Sequence, residues 1–245
     1  DSETAELCKL IDNAYRVTRF GFSADVAAVA TASGIDAFEA INAANFGYER
    51  NNIPSPSVGV SGYCLTKDPY YLHASGSEIW QDRGFDSVWL NARKAADMQT
   101  EFCYNWIKEY YNSELEGKKI VIAGITYKEN VDDARLSHGV ELAKMFQLEG
   151  SKVVAWDPVF SGRKVEGIDV ISTDSCLDES DCVVITVPHD EFKKWIGDYA
   201  GGSKRNMLIF DGWGLIGTQS LMRRDFTVVG TGKPNSSAKR QDSLQ

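Results

Sequence analysis

Apolar residues recur at helical spacing in the first half of the chain. Over Ala5–Ala32 they follow a period of about 3.6 residues, and Ser33-Gly34 supplies a stop signal, which predicts a long amphipathic helix. Asp36, with Glu39 three residues later, predicts a capping box that opens a shorter helix. The same spacing over Asp86–Tyr111 predicts a second long helix.

Beyond Gly117 the pattern changes. Short runs rich in β-branched residues alternate with helical stretches such as Val140–Glu149, which is typical of a parallel sheet with crossover helices. The predicted strands are Lys119–Ala123, Lys152–Trp156, Cys182–Val187, Met207–Phe210 and Thr227–Val229. We therefore expect an α/β fold class, with a helical domain over residues 1–114, a parallel-sheet domain over 115–232 and a disordered polar tail over 233–245.

Composition excludes several classes of function. A net charge of −9 argues against nucleic-acid binding, and the chain has neither an apolar run of membrane-spanning length nor an N-terminal signal segment. No nucleic-acid or membrane partner is expected, and a cytoplasmic location is the default. The five cysteines are odd in number and form no CxxC pair, so neither a disulfide framework nor a metal site is predicted.

The segment Pro56–Pro69, in which Gly59–Asp68 is predicted to be a loop, carries the strongest chemical signal. Its glycine-dense stretch lets backbone amides approach a ligand, and Cys64 lies three residues before Lys67, where a thiolate can be stabilised. One interpretation is a nucleophile. The other is a small buried thiol beside a surface lysine, and spacing alone leaves both open.

Two polar residues of the first helix project from one face. Lys9 and Asn13 are four residues apart, and a lysine beside an amide can stabilise an oxyanion and orient a water. The alternative is an ordinary solvated helix face.

Several motifs, in one order, match a known family. The first helix carries Ala5-Glu6-x-x-Lys9-x-x-x-Asn13-x-Tyr15-Arg16, and Arg50 precedes Cys64 by fourteen residues. The later motifs are Ala92-Arg93, Gly124-Ile125-Thr126-Tyr127-Lys128, Asp132-Asp133-x-Arg135-x-Ser137, Trp156-Asp157-Pro158 and Phe210-Asp211-Gly212. Over about residues 4–230 the chain resembles the UDP-glucose and UDP-N-acetylhexosamine 6-dehydrogenases.

This resemblance implies a mechanism. In the family, NAD takes a hydride from C6 of the sugar, a cysteine captures the aldehyde, and a second hydride transfer gives a thioester that water cleaves to the uronic acid. Cys64 would be the nucleophile, Lys9 would stabilise the oxyanion, Asn13 would position oxygen or water, and Asp68 would organise the hydrolytic water.

The resemblance also implies binding residues and an assembly. The helical domain would be the central, dimerisation domain, giving a homodimer, and the sheet domain would be a Rossmann-like UDP-binding domain. The UDP-sugar would be held by Arg50, Ile53, Ser57, Gly59, Ser61 and Lys128, whereas Lys67 and Arg135 would face the cofactor, NAD.

The chain departs from the family pattern at three places. Ser61-Gly62 stands where paired glycines are usual, so a hydroxymethyl group is added where backbone approaches the ligand. Asp211-Gly212-Trp213 replaces Asp-Gly-Arg, which removes a cation near the substrate. We also expect the chain to supply no Gly-x-Gly-x-x-Gly turn for the pyrophosphate of NAD, so that NAD would be bound mainly by a domain absent from it.

Three functions are weighed. The first is part of a nucleotide-sugar 6-dehydrogenase, inactive alone, and the second is a UDP-sugar-binding or dimerisation module without catalysis. The third is a self-contained NAD dehydrogenase in which Asp157 binds ribose. Intact Cys64, Lys9, Asn13 and Asp68 favour the first. For the sugar, the sequence slightly favours an N-acetylhexosamine over glucose.

Overall fold

The computed structural model describes residues 1–198, 207–216 and 226–232, which form a set of packed helices followed by a sheet. The tail over 233–245, predicted to be disordered, lies outside the described residues.

Five helices make up the first part. They are α1 (Ser2–Ala32), α2 (Ala37–Asn45), α3 (Tyr63–Ala74), α4 (Ser77–Arg83) and α5 (Val88–Tyr110). The two long helices, α1 and α5, pack against each other, and α3 packs against both. The predicted cap before α2 is confirmed, because the Asp36 carboxylate accepts hydrogen bonds from the amides of Phe38 and Glu39.

A seven-stranded sheet makes up the second part. In chain order its elements are β1 (Lys119–Ala123), α6 (His138–Leu148), β2 (Lys152–Trp156), β3 (Lys164–Val165), β4 (Ile168–Ile171), β5 (Cys182–Ile185), α7 (Asp190–Asp198), β6 (Met207–Asp211) and β7 (Phe226–Val229). The strand order is β3-β4-β2-β1-β5-β6-β7, and every pair is parallel except β3 with β4. The predicted Rossmann-like fold class is confirmed.

The core of the sheet part is continuous with one face of α5. Strands β5 and β6 are buried along their whole length, as expected for central parallel strands covered on both faces. Cys103 and Ile107 of α5 are fully buried in the same apolar cluster as Ile122 and Phe146. Since α5 also packs on α1, this helix joins the two parts of the molecule.

One element differs from its prediction. The Gly59–Asp68 segment was expected to be a loop, but the loop ends at Gly62, and Tyr63 begins α3. Pro69 lies inside this helix, where its missing N–H and its ring oppose helix formation, so local propensity gave no helical signal. Cys64 and Asp68 therefore lie one helical turn apart on one face.

Candidate functional site

A cavity of about 620 Å³ lies between the helical part and the carboxyl ends of the parallel strands. Its lining comes from α1, from residues 57–65, and from the loops that follow β1, β5 and β6. Crevices outside the carboxyl ends of parallel strands are where open α/β sheets bind ligands. The site therefore lies where both parts of the chain contribute side chains.

The loop before α3 is fixed from several sides. The Ser57 hydroxyl donates to the Gly59 carbonyl at 2.8 Å, and the Thr100 hydroxyl of α5 donates to the Val58 carbonyl at 2.9 Å. At Gly59 φ is +149°, and an added Cβ would lie 2.6 Å from Nε2 of His138. Only glycine allows this close approach of the loop to α6.

Cys64 occupies the first turn of α3. Gly62 precedes this helix with φ +101°, a conformation that favours glycine, and its carbonyl accepts from the Thr66 amide at 3.2 Å. The Cys64 side chain is exposed and lines the cavity. Helix N-termini stabilise thiolates, so the position suits a nucleophilic cysteine.

Lys9, Asn13 and Asp68 come together beside this cysteine. Asp68 is buried, and its Oδ2 accepts a hydrogen bond from Asn13 Nδ2 at 2.7 Å and lies 3.3 Å from Lys9 Nζ. Lys67 Nζ approaches Oδ1 at 3.7 Å. The interpretation of Lys9 and Asn13 as an ordinary solvated face does not describe them, because both contact a buried carboxylate.

The segment after β1 contributes cationic groups to the cavity. Lys128 and Arg135 line the cavity with Tyr127. Arg135 is exposed and pairs with Asp133, whose pKa is lowered mainly by the hydrogen bond from the guanidinium. Lys128 thus faces the cavity that also contains Cys64, and Arg135, expected to face the cofactor, lines the same space.

The remaining predicted residues divide between the cavity and its surroundings. Ser57, Gly59 and Ser61 line the cavity, whereas Arg50, Ile53 and Lys67 do not. Arg50 is exposed, and Ile53 donates and accepts backbone hydrogen bonds with the Asn45 side chain. Lys67 lies over the rings of Tyr63 and Tyr71, at 4.6 and 5.4 Å from their centroids.

Both substitutions that depart from the family pattern have structural partners. The Ser61 hydroxyl accepts a hydrogen bond from the His138 amide at 3.1 Å, so it caps α6 instead of merely occupying space beside the ligand. Trp213 lines the cavity, and its Nε1 donates to the Thr186 carbonyl at 2.8 Å. An aromatic side chain therefore stands where a cation is usual.

Sequence reasoning gave no role to several residues that line the cavity, among them Arg16 and His138. Arg16 lines the cavity from α1, and it lies three residues after Asn13 on the face that carries Lys9, so helical spacing could have found it. His138 also lines the cavity, with Nδ1 2.9 Å from the Thr100 hydroxyl and 3.2 Å from Glu141. Nothing in the local sequence indicates that contact.

The carboxylate of Asp157 accepts hydrogen bonds from several donors of the protein itself. Asp157 is fully buried, and its carboxylate accepts from the amides of Ile125, Thr126, Val159 and Phe160 and from His189. Burial by itself would raise the pKa of Asp157, but these hydrogen bonds lower it to about 2. The carboxylate has no open side for a ribose, which argues against a cofactor role.

The expectation that the chain lacks a Gly-x-Gly-x-x-Gly turn was wrong. Gly212-Trp213-Gly214-Leu215-Ile216-Gly217 has that spacing and follows β6. The structure describes this segment as far as Ile216. Asp211 Oδ1 accepts from the amides of Trp213 and Leu215, and Oδ2 accepts from that of Ile216 at 2.8 Å. The amides that would bind a pyrophosphate already bind this carboxylate.

Two further searches cover the described residues. Among residues 1–198, 207–216 and 226–232, no group of three or more His, Cys, Asp or Glu side chains is arranged to hold a metal ion. Within the same ranges, no helix has the length and apolar character needed to cross a membrane.

Comparison with known proteins identifies both parts of the chain. Residues 3–90 match the central domain of the UDP-glucose/GDP-mannose dehydrogenase family, and residues 121–218 match its UDP binding domain. A UDP-N-acetyl-D-mannosamine dehydrogenase of Methanococcus maripaludis is 31% identical over 232 residues, which are 93% of this chain and 52% of that protein.

Solved structures agree with this match. A UDP-D-ManNAc dehydrogenase from Pyrococcus horikoshii superposes with a TM-score of 0.73 at 26% identity, over 94% of this chain and 52% of that one. For the fold alone, an NDP-N-acetyl-D-galactosaminuronic acid dehydrogenase from Methanosarcina mazei gives 0.80 at 24% identity, over 94% and 51%. The chain spans about half the length of these relatives. The chain belongs to the UDP-glucose/GDP-mannose dehydrogenase family and carries its central and UDP-binding domains.

Proposed function

We propose that this chain forms the nucleotide-sugar side of an NAD-dependent 6-dehydrogenase, with Cys64 as the covalent nucleophile. The observation that carries the proposal is the convergence of Cys64, Lys128 and the 57–61 loop on one cavity, together with the buried Asp68, one helical turn after Cys64, and its partners Lys9 and Asn13.

Cys64 would capture the C6 aldehyde of the sugar. Its thiolate adds to the carbonyl carbon, and the carbonyl oxygen becomes an oxyanion or, after taking a proton, the hydroxyl of a thiohemiacetal. The exposed ammonium of Lys9 and the amide of Asn13 are suited to stabilise that oxygen. Oxidation of the adduct leaves a thioester on Cys64.

Asp68 would assist release of the product. It lies one helical turn after Cys64 on α3, and the ammonium groups of Lys9 and Lys67 lie 3.3 and 3.7 Å from its oxygens. A water that attacks the thioester would donate its proton to this carboxylate as the Cys64 thiolate leaves.

The other end of the cavity would hold the nucleotide. Lys128 supplies a cation for the diphosphate, and the loop through Ser57, Gly59 and Ser61 supplies backbone that approaches closely. Relatives of this chain include a UDP-N-acetyl-D-mannosamine dehydrogenase and an NDP-N-acetyl-D-galactosaminuronic acid dehydrogenase. We extend this to a UDP-N-acetylhexosamine as the substrate class.

NAD would accept the hydride from C6, as the family's activity requires. The stretch with the dinucleotide glycine spacing begins at Gly212, and in its described part, as far as Ile216, three amides already bind Asp211, so they do not fit the cofactor's pyrophosphate. Arg135 and Lys67 remain proposed contacts to the cofactor from this side. The proposal therefore assigns no dinucleotide cradle to the described residues.

A homodimer through the helical part completes the proposal. Five large apolar side chains of α1 lie on a single face and are exposed: Leu7, Ile11, Tyr15, Phe22 and Val29. An unpartnered apolar stripe of this length is typical of an interface. Sedimentation equilibrium should give a dimer at tens of micromolar, an order of magnitude suited to a standard interface, and a monomer there would contradict the dimer.

Cysteine labelling tests the proposed site. Brief treatment with iodoacetamide should label Cys64 before Cys8, which is also exposed and serves as an internal control on α1. A UDP-N-acetylhexosamine should protect Cys64 and leave Cys8 unaffected. Equal labelling of the two, with no protection, would refute the nucleophile. UDP-sugar binding without preferential labelling of Cys64 would instead favour a binding module.

A further inference from the structure

We propose that Arg93 is a positioning residue that substitutes for the backbone amide missing at Pro69 and so holds the first turns of the Cys64 helix. This inference rests on the proposed function of Cys64. Arg93 lies on α5 and does not line the cavity.

The guanidinium of Arg93 is buried and fully used. Its side chain is 1% exposed, Nε donates to Asp97 Oδ2 at 3.0 Å, and Nη2 pairs with Asp97 Oδ1. Nη1 donates to the Val60 carbonyl at 2.9 Å and contacts the Leu65 carbonyl at 3.4 Å. Because arginine offers N–H groups in a planar fork, one side chain reaches the chain on both sides of Cys64.

Pro69 explains why the Leu65 carbonyl needs a side-chain donor. In an α-helix the carbonyl of residue 65 accepts from the amide of residue 69, but proline has no N–H, and its ring pushes that carbonyl away from the axis. The freed carbonyl points toward α5, where Arg93 meets it. A buried carbonyl without a donor would otherwise weaken the turn that contains Cys64.

A second side chain of α5 holds the same loop. Thr100, seven residues after Arg93 and on the same face, donates to the Val58 carbonyl, as Arg93 does to that of Val60. Alternate carbonyls of the loop are therefore bonded to α5, and the intervening Gly59 and Ser61 contact α6. Of the two α5 side chains, Arg93 alone also reaches into α3, so it sets the loop and the cysteine helix relative to each other.

A double-mutant cycle tests the inference. Pro69→Ala returns an N–H that can bond to the Leu65 carbonyl within the helix, so the Cys64 turn should depend less on Arg93 in that background. The measurement is the rate of iodoacetamide labelling at Cys64 relative to Cys8, in the unaltered chain and in Arg93→Met, Pro69→Ala and the double variant. Lys94→Met, which removes an exposed neighbour paired with Asp86, is the matched control.

We expect Arg93→Met to lower the labelling ratio about fivefold, and to lower it less than about twofold when Pro69→Ala is present, since interacting sites are not additive. Lys94→Met should leave the ratio unchanged. Arg93→Met should lower the melting temperature with either proline or alanine at position 69, because the bond to the Val60 carbonyl is lost in both. The melting temperature therefore does not distinguish a positioning role from a purely structural one. If Arg93→Met fails to fold, Arg93→Lys replaces it in the same cycle.

Two results would overturn the inference: an unchanged ratio in the arginine variant, or the same loss in both backgrounds. Either would leave Arg93 as a purely structural residue. Failure of the proposed function has a different signature, because Cys64 would then show no preference over Cys8 in the unaltered chain.

Discussion

The helical part buries Asp68 and the sheet part buries Asp157 and Asp211, and the carboxylates of Asp68 and Asp157 are used differently. Asp157 lies at the carboxyl end of β2 with four backbone amides and a buried histidine as donors. Asp68 is equally buried but has one hydrogen bond from Asn13, and its cationic partners Lys9 and Lys67 reach solvent.

This difference separates a structural carboxylate from a candidate catalytic one. A carboxylate saturated by rigid backbone donors can neither accept a further proton easily nor bind a ligand, and Asp157 accordingly has a pKa near 2. A carboxylate held by mobile lysine side chains can exchange partners during a reaction. Burial alone therefore does not mark function; the identity and the mobility of the donors do.

The largest expected effect is on stability at Asp157. Replacing it by Asn leaves His189 and several amides with a poorer acceptor in a fully buried place, and we expect a loss of about 3 kcal/mol in unfolding free energy. Urea denaturation measures it. A loss below about 1 kcal/mol, the range of exposed pairs, would show that Asp157 is not the anchor that its contacts indicate.

The same carboxylate predicts an acid limit to stability. Because its pKa is lowered from 3.8 to about 2 on folding, its contribution is fully present above about pH 4 and is lost as the pH falls toward 2. This lowering of the pKa corresponds to roughly 2 kcal/mol of unfolding free energy. Denaturation series in that range should show the loss in the unaltered chain and a smaller one in Asp157→Asn; parallel curves would refute the assignment.

Asp68→Asn, unlike Asp157→Asn, should affect the reaction more than the stability of the fold. The amide can still accept from Asn13, and the two lysines can be hydrated, so stability should change by about 1 kcal/mol or less. Binding of a UDP-sugar should persist, whereas hydrolysis of a thioester formed on Cys64 should slow. A destabilisation as large as that of Asp157→Asn, measured in the same urea series, would remove the distinction between the two aspartates.

The sequence predicted the helices and strands well where a single local pattern determined the element. Apolar periodicity located α1 and α5, and β-branched runs located β1 and β2 with the observed ends. The helix that carries Cys64 was taken for a loop, since Pro69 and Gly62 both oppose helix locally and tertiary contacts through Arg93 outweigh them.

The candidate site could be predicted only where its residues form local patterns in the sequence. Lys9, Asn13, Cys64 and Asp68 form short-range patterns on two helices, so spacing and family motifs together could identify them. His138 and Thr100 meet across 38 positions of the chain, and no local pattern encodes such a contact. The glycine spacing that begins at Gly212 is visible in the sequence, whereas the binding of its amides by Asp211 is visible only in the coordinates.

Calorimetric titration with UDP tests the central claim most directly, because it asks whether the cavity holding Lys128 and Cys64 is a nucleotide site. The account predicts saturable binding in the ~1 µM to 1 mM range of small-substrate sites. Lys128→Ala should weaken it by about 1.5 to 3 kcal/mol, whereas Lys144→Ala, which removes an exposed lysine of α6 paired with Glu166, should not. Absence of saturable UDP binding, or equal affinities in the two variants, would contradict the account.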